Sequence, residues 1–301
     1  MSSLQPWKTD AMVRLLVCIF LCFFSGSLLL ALMHHARTAS EPGILAFVVG
    51  GVTLLCLAVN LVLVQNPWPA ERLMPWLGLT VFLFYASLLL GAWVMKLTGG
   101  AKSSVLVMIV AALTFQGAVL VLLPGFLREH GLGWSEAFGF RNEPRRAILA
   151  GLILASLFLP IGWGLQWVSN EVMLRLPLGD LRPTEQQTIQ TLRTAYAWTD
   201  RVVLGAITVL LAPVGEELLF RGLLYPWIKR IGFPRLALWS TSLLFAAVHF
   251  NMATFLPLLI LALALVAIYE WTDNLVAPIV AHALFNAFNF VLLYALQSPP
   301  A

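Results

Sequence analysis

The stretch APVGEELLFRG, residues 212–222, sets Glu216, Glu217 and Arg221 in a run otherwise apolar enough for lipid. Helix geometry sorts these charges. Glu217 and Arg221 are four residues apart, acid first, so they meet on one face, whereas Glu216 lies about 100° around the helix and shares a face with Phe220. One carboxylate is answered by an arginine, and the other has nothing on its own face to answer it. Pro213 and Gly215 can kink the helix and open a polar cavity, or begin a new helical section. A charge at the bilayer centre costs about 2.5–3.5 kcal/mol on insertion scales, so these side chains are expected to face a bundle interior or a water-filled cavity.

The surrounding chain fits that setting. Of its 301 residues 60% are hydrophobic and 11% charged, and the mean hydropathy is +0.89, far from the mix of a soluble domain. Apolar segments near the roughly 20 residues of a spanning helix recur at 15–33, 43–64, 73–95, 103–123 and 148–168. Four more follow at 202–227, 236–249, 255–269 and 276–296, some of them short. The expected fold is an all-α polytopic membrane bundle of about eight spans with a ninth broken or tilted element. Segment 15–33 is longer than a signal-peptide core, and Met33-His34-His35 does not resemble a cleavage site. Residues 1–170 read as a five-span amino-terminal region and 171–201 as a polar link. In that link Ile189, Leu192 and Tyr196 have the spacing of an interfacial helix. Residues 202–296 read as a further membrane region with four hydrophobic segments.

The net charge of +4 is scattered through the connections, so topology explains it better than nucleic acid does. With the amino end inside and all nine segments crossing, ten Lys and Arg residues fall on the cytoplasmic side and seven on the other. Cys18, Cys22 and Cys56 all lie in candidate spans and read as small apolar residues rather than disulfide partners. Trp68, Trp76, Trp93, Trp134, Trp163 and Trp167 fall mostly near span ends and read as interfacial anchors. No internal repeat indicates an inverted-repeat transporter.

Beyond the opening stretch, polar side chains interrupt the apolar segments at His249, one turn after Phe245, and at His282 and Asn286, one turn apart on one face. Two of five histidines thus recur in neighbouring hydrophobic elements, which favours a shared cavity. Two histidines and a glutamate could hold zinc, but no His-Glu-x-x-His pair is present. The same groups could work without metal, with Glu216 as base, His249 orienting water, and His282 and Asn286 as donors to an oxyanion.

The order Glu216-Glu217-x-x-x-Arg221, Phe245-x-x-x-His249, His282-x-x-x-Asn286 resembles the CAAX protease and bacteriocin-processing family, also called the abortive-infection or type II CAAX endopeptidase family. The approach Asn274-Leu275-Val276-Ala277-Pro278 to His282 looks like that family's as well. The resemblance runs from about Val202 to Leu296 and implies an intramembrane glutamate endopeptidase without metal or cofactor. It implies that Glu216 and His249 activate water, that Glu217 and Arg221 organise the site alongside Phe245, and that His282 and Asn286 form the oxyanion pocket. Eukaryotic members remove the last three residues of prenylated CAAX proteins, and bacterial relatives are linked to peptide maturation, bacteriocin immunity or regulation. The expected partners are the lipid bilayer, in a prokaryotic cell membrane, and a membrane-associated peptide or protein, with oligomeric state left open. The alternatives are a non-hydrolytic immunity or binding protein on the same scaffold and a proton-coupled transporter.

Overall fold

The computed structural model describes residues 7–38, 78–79, 82–83, 86, 105–175, 187–194, 197–249 and 251–295. Every element among them is helical: α1 (Thr9–Thr38), α2 (Val105–Glu129), α3 (Trp134–Phe138), α4 (Pro144–Arg175), α5 (Gln187–Thr194), α6 (Trp198–Arg230), α7 (Pro234–Ala247), α8 (Met252–Thr272) and α9 (Val276–Ala295). Helices dominate because a backbone in hydrocarbon must satisfy its N–H and C=O groups within its own segment. Six of them, α1, α2, α4, α6, α8 and α9, are long and apolar enough to cross a bilayer, as an integral membrane protein requires. At 14 residues, about 21 Å, α7 falls short of the roughly 30 Å hydrocarbon core. The expected spans 43–64 and nearly all of 73–95 lie outside the described residues, as do Cys56, Trp68, Trp76, Trp93 and Tyr196.

The described residues form two compact units. In the first, α1 and α2 pack together: the half-exposed Glu129 pairs with the buried Arg14, and Trp7 meets the edge of His130. Gly26 abuts Thr114 so closely that no side chain would fit there.

The second unit holds α3–α5, α6 from residue 201 onward, and α7–α9. Here α4 runs parallel to α9, with Gly151 against Val280 and Phe158 against Phe285, while α8 returns antiparallel to both. Small residues allow this approach, as is common where helices meet in lipid: Ala147, Ala150 and Ala277 form one buried cluster. The outer face of α4 is the reverse, with Leu149, Leu152, Ile153, Leu157 and Ile161 exposed as a lipid-facing surface would be. On that face the Ser156 hydroxyl donates to the Leu152 carbonyl, so no polar group is left bare.

A side chain at Gly151 would place its Cβ 2.6 Å from the Ala277 carbonyl oxygen and 2.9 Å from Val280 Cβ. Backbone cannot yield as a side-chain tip can, so Gly151→Val is expected to force α4 from α9 and lower the melting temperature in detergent by several degrees. An unchanged transition would mean that this contact does not set the helix spacing.

One end of the unit is stitched across the chain. The Leu275 N–H donates to the Phe138 carbonyl, the Asn142 amide to the Asp273 carbonyl, and the fully buried Asn274 amide to the Asn142 carbonyl. Gly139, at φ +69°, ends α3 in the left-handed conformation that glycine adopts without strain. The stitch fixes the start of α9 and, six residues on, His282. At the same end Lys229 pairs with Glu270, and the Arg146 guanidinium sits 4.7 Å over the Trp271 ring.

Candidate active site

The chemistry-bearing side chains meet where α6, α7, α8 and α9 cross. The backbone of α6 widens twice into π-helical turns, at Ile207–Leu211 and Leu218–Leu224, on either side of Ala212–Glu217. Each wide turn ends two residues before a proline, Pro213 or Pro226. A proline has no N–H and crowds the carbonyl four residues earlier, and an extra residue in the turn relieves the crowding.

The first π-turn has a direct consequence for the site. The Ala212 N–H, which in an α-helix would bond the Thr208 carbonyl, bonds Ile207 instead. The next donor in π register would be residue 213, a proline. Thr208 therefore offers its carbonyl outward, and the Asn286 amide on α9 donates to it at 2.9 Å. Two helices are joined through a hydrogen bond that a regular α6 would not offer.

The expected pair of Glu217 and Arg221 is present, with Arg221 Nη1 donating to Glu217 Oε1 at 2.9 Å and both side chains fully buried. Arg221 Nη2 donates to the Ala262 carbonyl of α8 at 3.1 Å, and the guanidinium lies 4.5 Å from the centre of the Phe245 ring. The pair is not merely a clasp on one helix. His282 Nδ1 lies 2.8 Å from the same Glu217 Oε1, and because that oxygen already accepts from an arginine, Nδ1 carries the proton. Glu217 thus fixes the His282 tautomer, and the ring turns Nε2 toward Glu216, 4.0 Å from Oε2. The buried Glu217 Oε2 has no hydrogen-bond partner among the described residues.

Phe245, fully buried, ties the set together. Its ring meets Phe220 edge-on at 5.3 Å and His282 edge-on at 5.6 Å, and lies 5.0 Å from His249. His249, half-buried at the end of α7, points Nδ1 at the Phe245 carbonyl 2.7 Å away. A carbonyl only accepts, so this nitrogen is the donor and Nε2 keeps its lone pair. Among the described residues no three His, Cys, Asp or Glu side chains converge in a metal-holding geometry.

Two contributors went unrecognised in the sequence. One is the Thr208 carbonyl, which the X-Pro ending of the wide turn could have flagged. The other is Asn289, on the His282 face of α9 by its seven-residue spacing, whose Oδ1 accepts from Trp163 Nε1 at 3.2 Å. Trp163 therefore reaches α9 in addition to the interfacial role expected of it.

Known proteins match part of this chain. Uncharacterized protein YpbD of Bacillus subtilis (strain 168) is 38% identical over 85 residues, which are 27% of this chain and 40% of that protein, so the chain spans less than half the length of the curated relative it matches. No solved structure matches the chain. Residues 198–288 match the family model described as type II CAAX prenyl endopeptidase Rce1-like. Those residues include Glu216, Glu217, Arg221, Phe245, His249, His282 and Asn286, so the segment that holds the constellation is similar to that family.

Proposed function

We propose that the chain is an intramembrane endopeptidase that hydrolyses peptide bonds of membrane-associated peptides through glutamate-activated water, without a metal. The observation that carries this reading is the buried relay in which Arg221 and His282 share one oxygen of Glu217 while His282 Nε2 faces Glu216. A separation of 4.0 Å is too long for a direct hydrogen bond and suits one bridging water.

In this mechanism Glu216 takes a proton from that water, and the oxygen attacks the carbonyl carbon of the peptide bond. A water has two hydrogens for three acceptors, so the one not given to Glu216 goes either to His282 Nε2 or to the lone pair on His249 Nε2, which orients the water from the end of α7. The second amide N–H of Asn286, not committed to Thr208, donates to the developing oxyanion. His282 in its observed tautomer presents a lone pair at Nε2, so it joins that stabilisation only after taking up a proton there, and Glu217 opposite supports the resulting imidazolium. The C–N bond then breaks, Glu216 returns its proton to the leaving amine, and an acid and an amine are released. Glu217, Arg221 and Phe245 hold the ring and the acid in register. We further assign this machinery to 202–296, with α4 as an additional wall, and place the protein in a prokaryotic cell membrane.

Purified tag-free protein in lipid vesicles, offered a peptide library that includes farnesylated carboxyl-terminal peptides, is expected to release cut products with and without a chelator. Loss of cleavage on chelation would overturn metal independence. Peptides bound but recovered intact would favour the non-hydrolytic scaffold.

A further inference from the structure

Facing rows of polar side chains lead away from the site along two otherwise apolar helices. On α9, His282, Asn286 and Asn289 fall within about 60° of arc, at offsets of four and seven residues. On the parallel α4, Trp163, Gln166 and Asn170 recur at spacings of three and four. The rows meet where Trp163 Nε1 donates to Asn289 Oδ1, while Gln166 Nε2 lies 3.0 Å from both Asn170 Oδ1 and the Ala253 carbonyl of α8. The Asn289 amide also donates to the Phe285 carbonyl at 2.8 Å. An asparagine amide has two N–H groups and two lone pairs, so these contacts leave one of each. Asn289 itself is half-buried and Trp163 is 41% exposed, so the ledge they form is accessible.

Bare amide groups are costly in hydrocarbon, and a ledge offering one donor and one acceptor matches what an extended peptide main chain presents at each residue. Seven helical residues span about 10 Å, the length of about three residues of extended chain.

Resting on the proteolytic reading above, we propose that Asn289, held by Trp163, is a substrate-positioning residue that hydrogen-bonds the peptide main chain about three residues from the bond cut beside His282.

The test takes one library peptide that the wild type cleaves and two versions, each shortened to two residues on one side of the cut. Kinetics are measured in lipid vesicles for the wild type, Asn289→Leu, Asn289→Gln and Trp163→Phe, which keeps an aromatic ring but loses the N–H. Asn289→Leu is expected to raise KM for the full peptide about five- to tenfold, the value of one neutral hydrogen bond, with kcat within about twofold. KM for one of the shortened peptides stays unchanged, Asn289→Gln recovers part of the loss, and Trp163→Phe moves KM the same way by less. A KM equal to wild type, or equal losses on all three peptides, overturns the proposal while leaving the protease reading intact. Should Asn289→Leu fail to fold, the peptide-length dependence of Trp163→Phe decides. If the wild type cuts no peptide at all, both readings fall together.

Discussion

Glu216→Gln is expected to abolish peptide cleavage, lowering kcat by at least about a thousandfold while the protein unfolds within a few degrees of wild type. The amide keeps the size of the acid but cannot take a proton from water, and a positioned base contributes about 10²–10⁴-fold. Stability should hold because Glu216, at 14% exposure, is the accessible acid of the two, and its neighbour Glu217 carries the Arg221 pair. The informative readout is a single-turnover rate beside a melting curve. A variant that still cuts at a tenth of the wild-type rate would remove Glu216 from the role of base.

Arg221→Met is expected to damage the fold itself. The arginine answers a carboxylate with no solvent exposure, and leaving such a charge without its partner costs about 3–5 kcal/mol, on the order of 10 °C in melting temperature. The complementary change Glu217→Gln should also destabilise, because the new amide N–H₂ would stand where Oε2 now has no partner. The decisive comparison is the double replacement Glu217→Leu with Arg221→Met. Removing both charges together should restore much of the stability lost by either alone, yet not the activity, since His282 then loses the group that sets its tautomer. Additive losses in the double variant would show that the two charges do not depend on each other.

The helical class, the Glu217–Arg221 pair and the shared face of His282 and Asn286 were legible because each depends on residues within one turn, or on composition. Other features arise between helices, where spacing along the chain is silent. Glu217 and His282 are 65 residues apart, and which faces of α6 and α9 meet is set by packing. Spacing along the chain joins Glu217 to Arg221 alone, and the structure adds a histidine bound to the same oxygen. The first π-turn lies between these extremes: Pro213 and Gly215 read as a kink or as the start of a new helical section, but the carbonyl freed at Thr208 depends on which donors the widened turn uses up. That α4 packs against α9 follows from Gly151, Ala147 and Ala277, small residues whose meaning appears only when their partners are known.

The stitch between the α3–α4 connection and the start of α9 bears on how such a protein is made. Its side-chain hydrogen bonds join residues 131 and 132 positions apart, and His282 and Asn286 lie on a helix made after α3, α4 and α6. Until that helix has inserted, Asn142 waits for Asp273 and Asn274, and Glu217 waits for the ring that will share its oxygen. Assembled in this order, the proposed site stays incomplete until α9 is in place, and the nascent chain passes through the membrane without it.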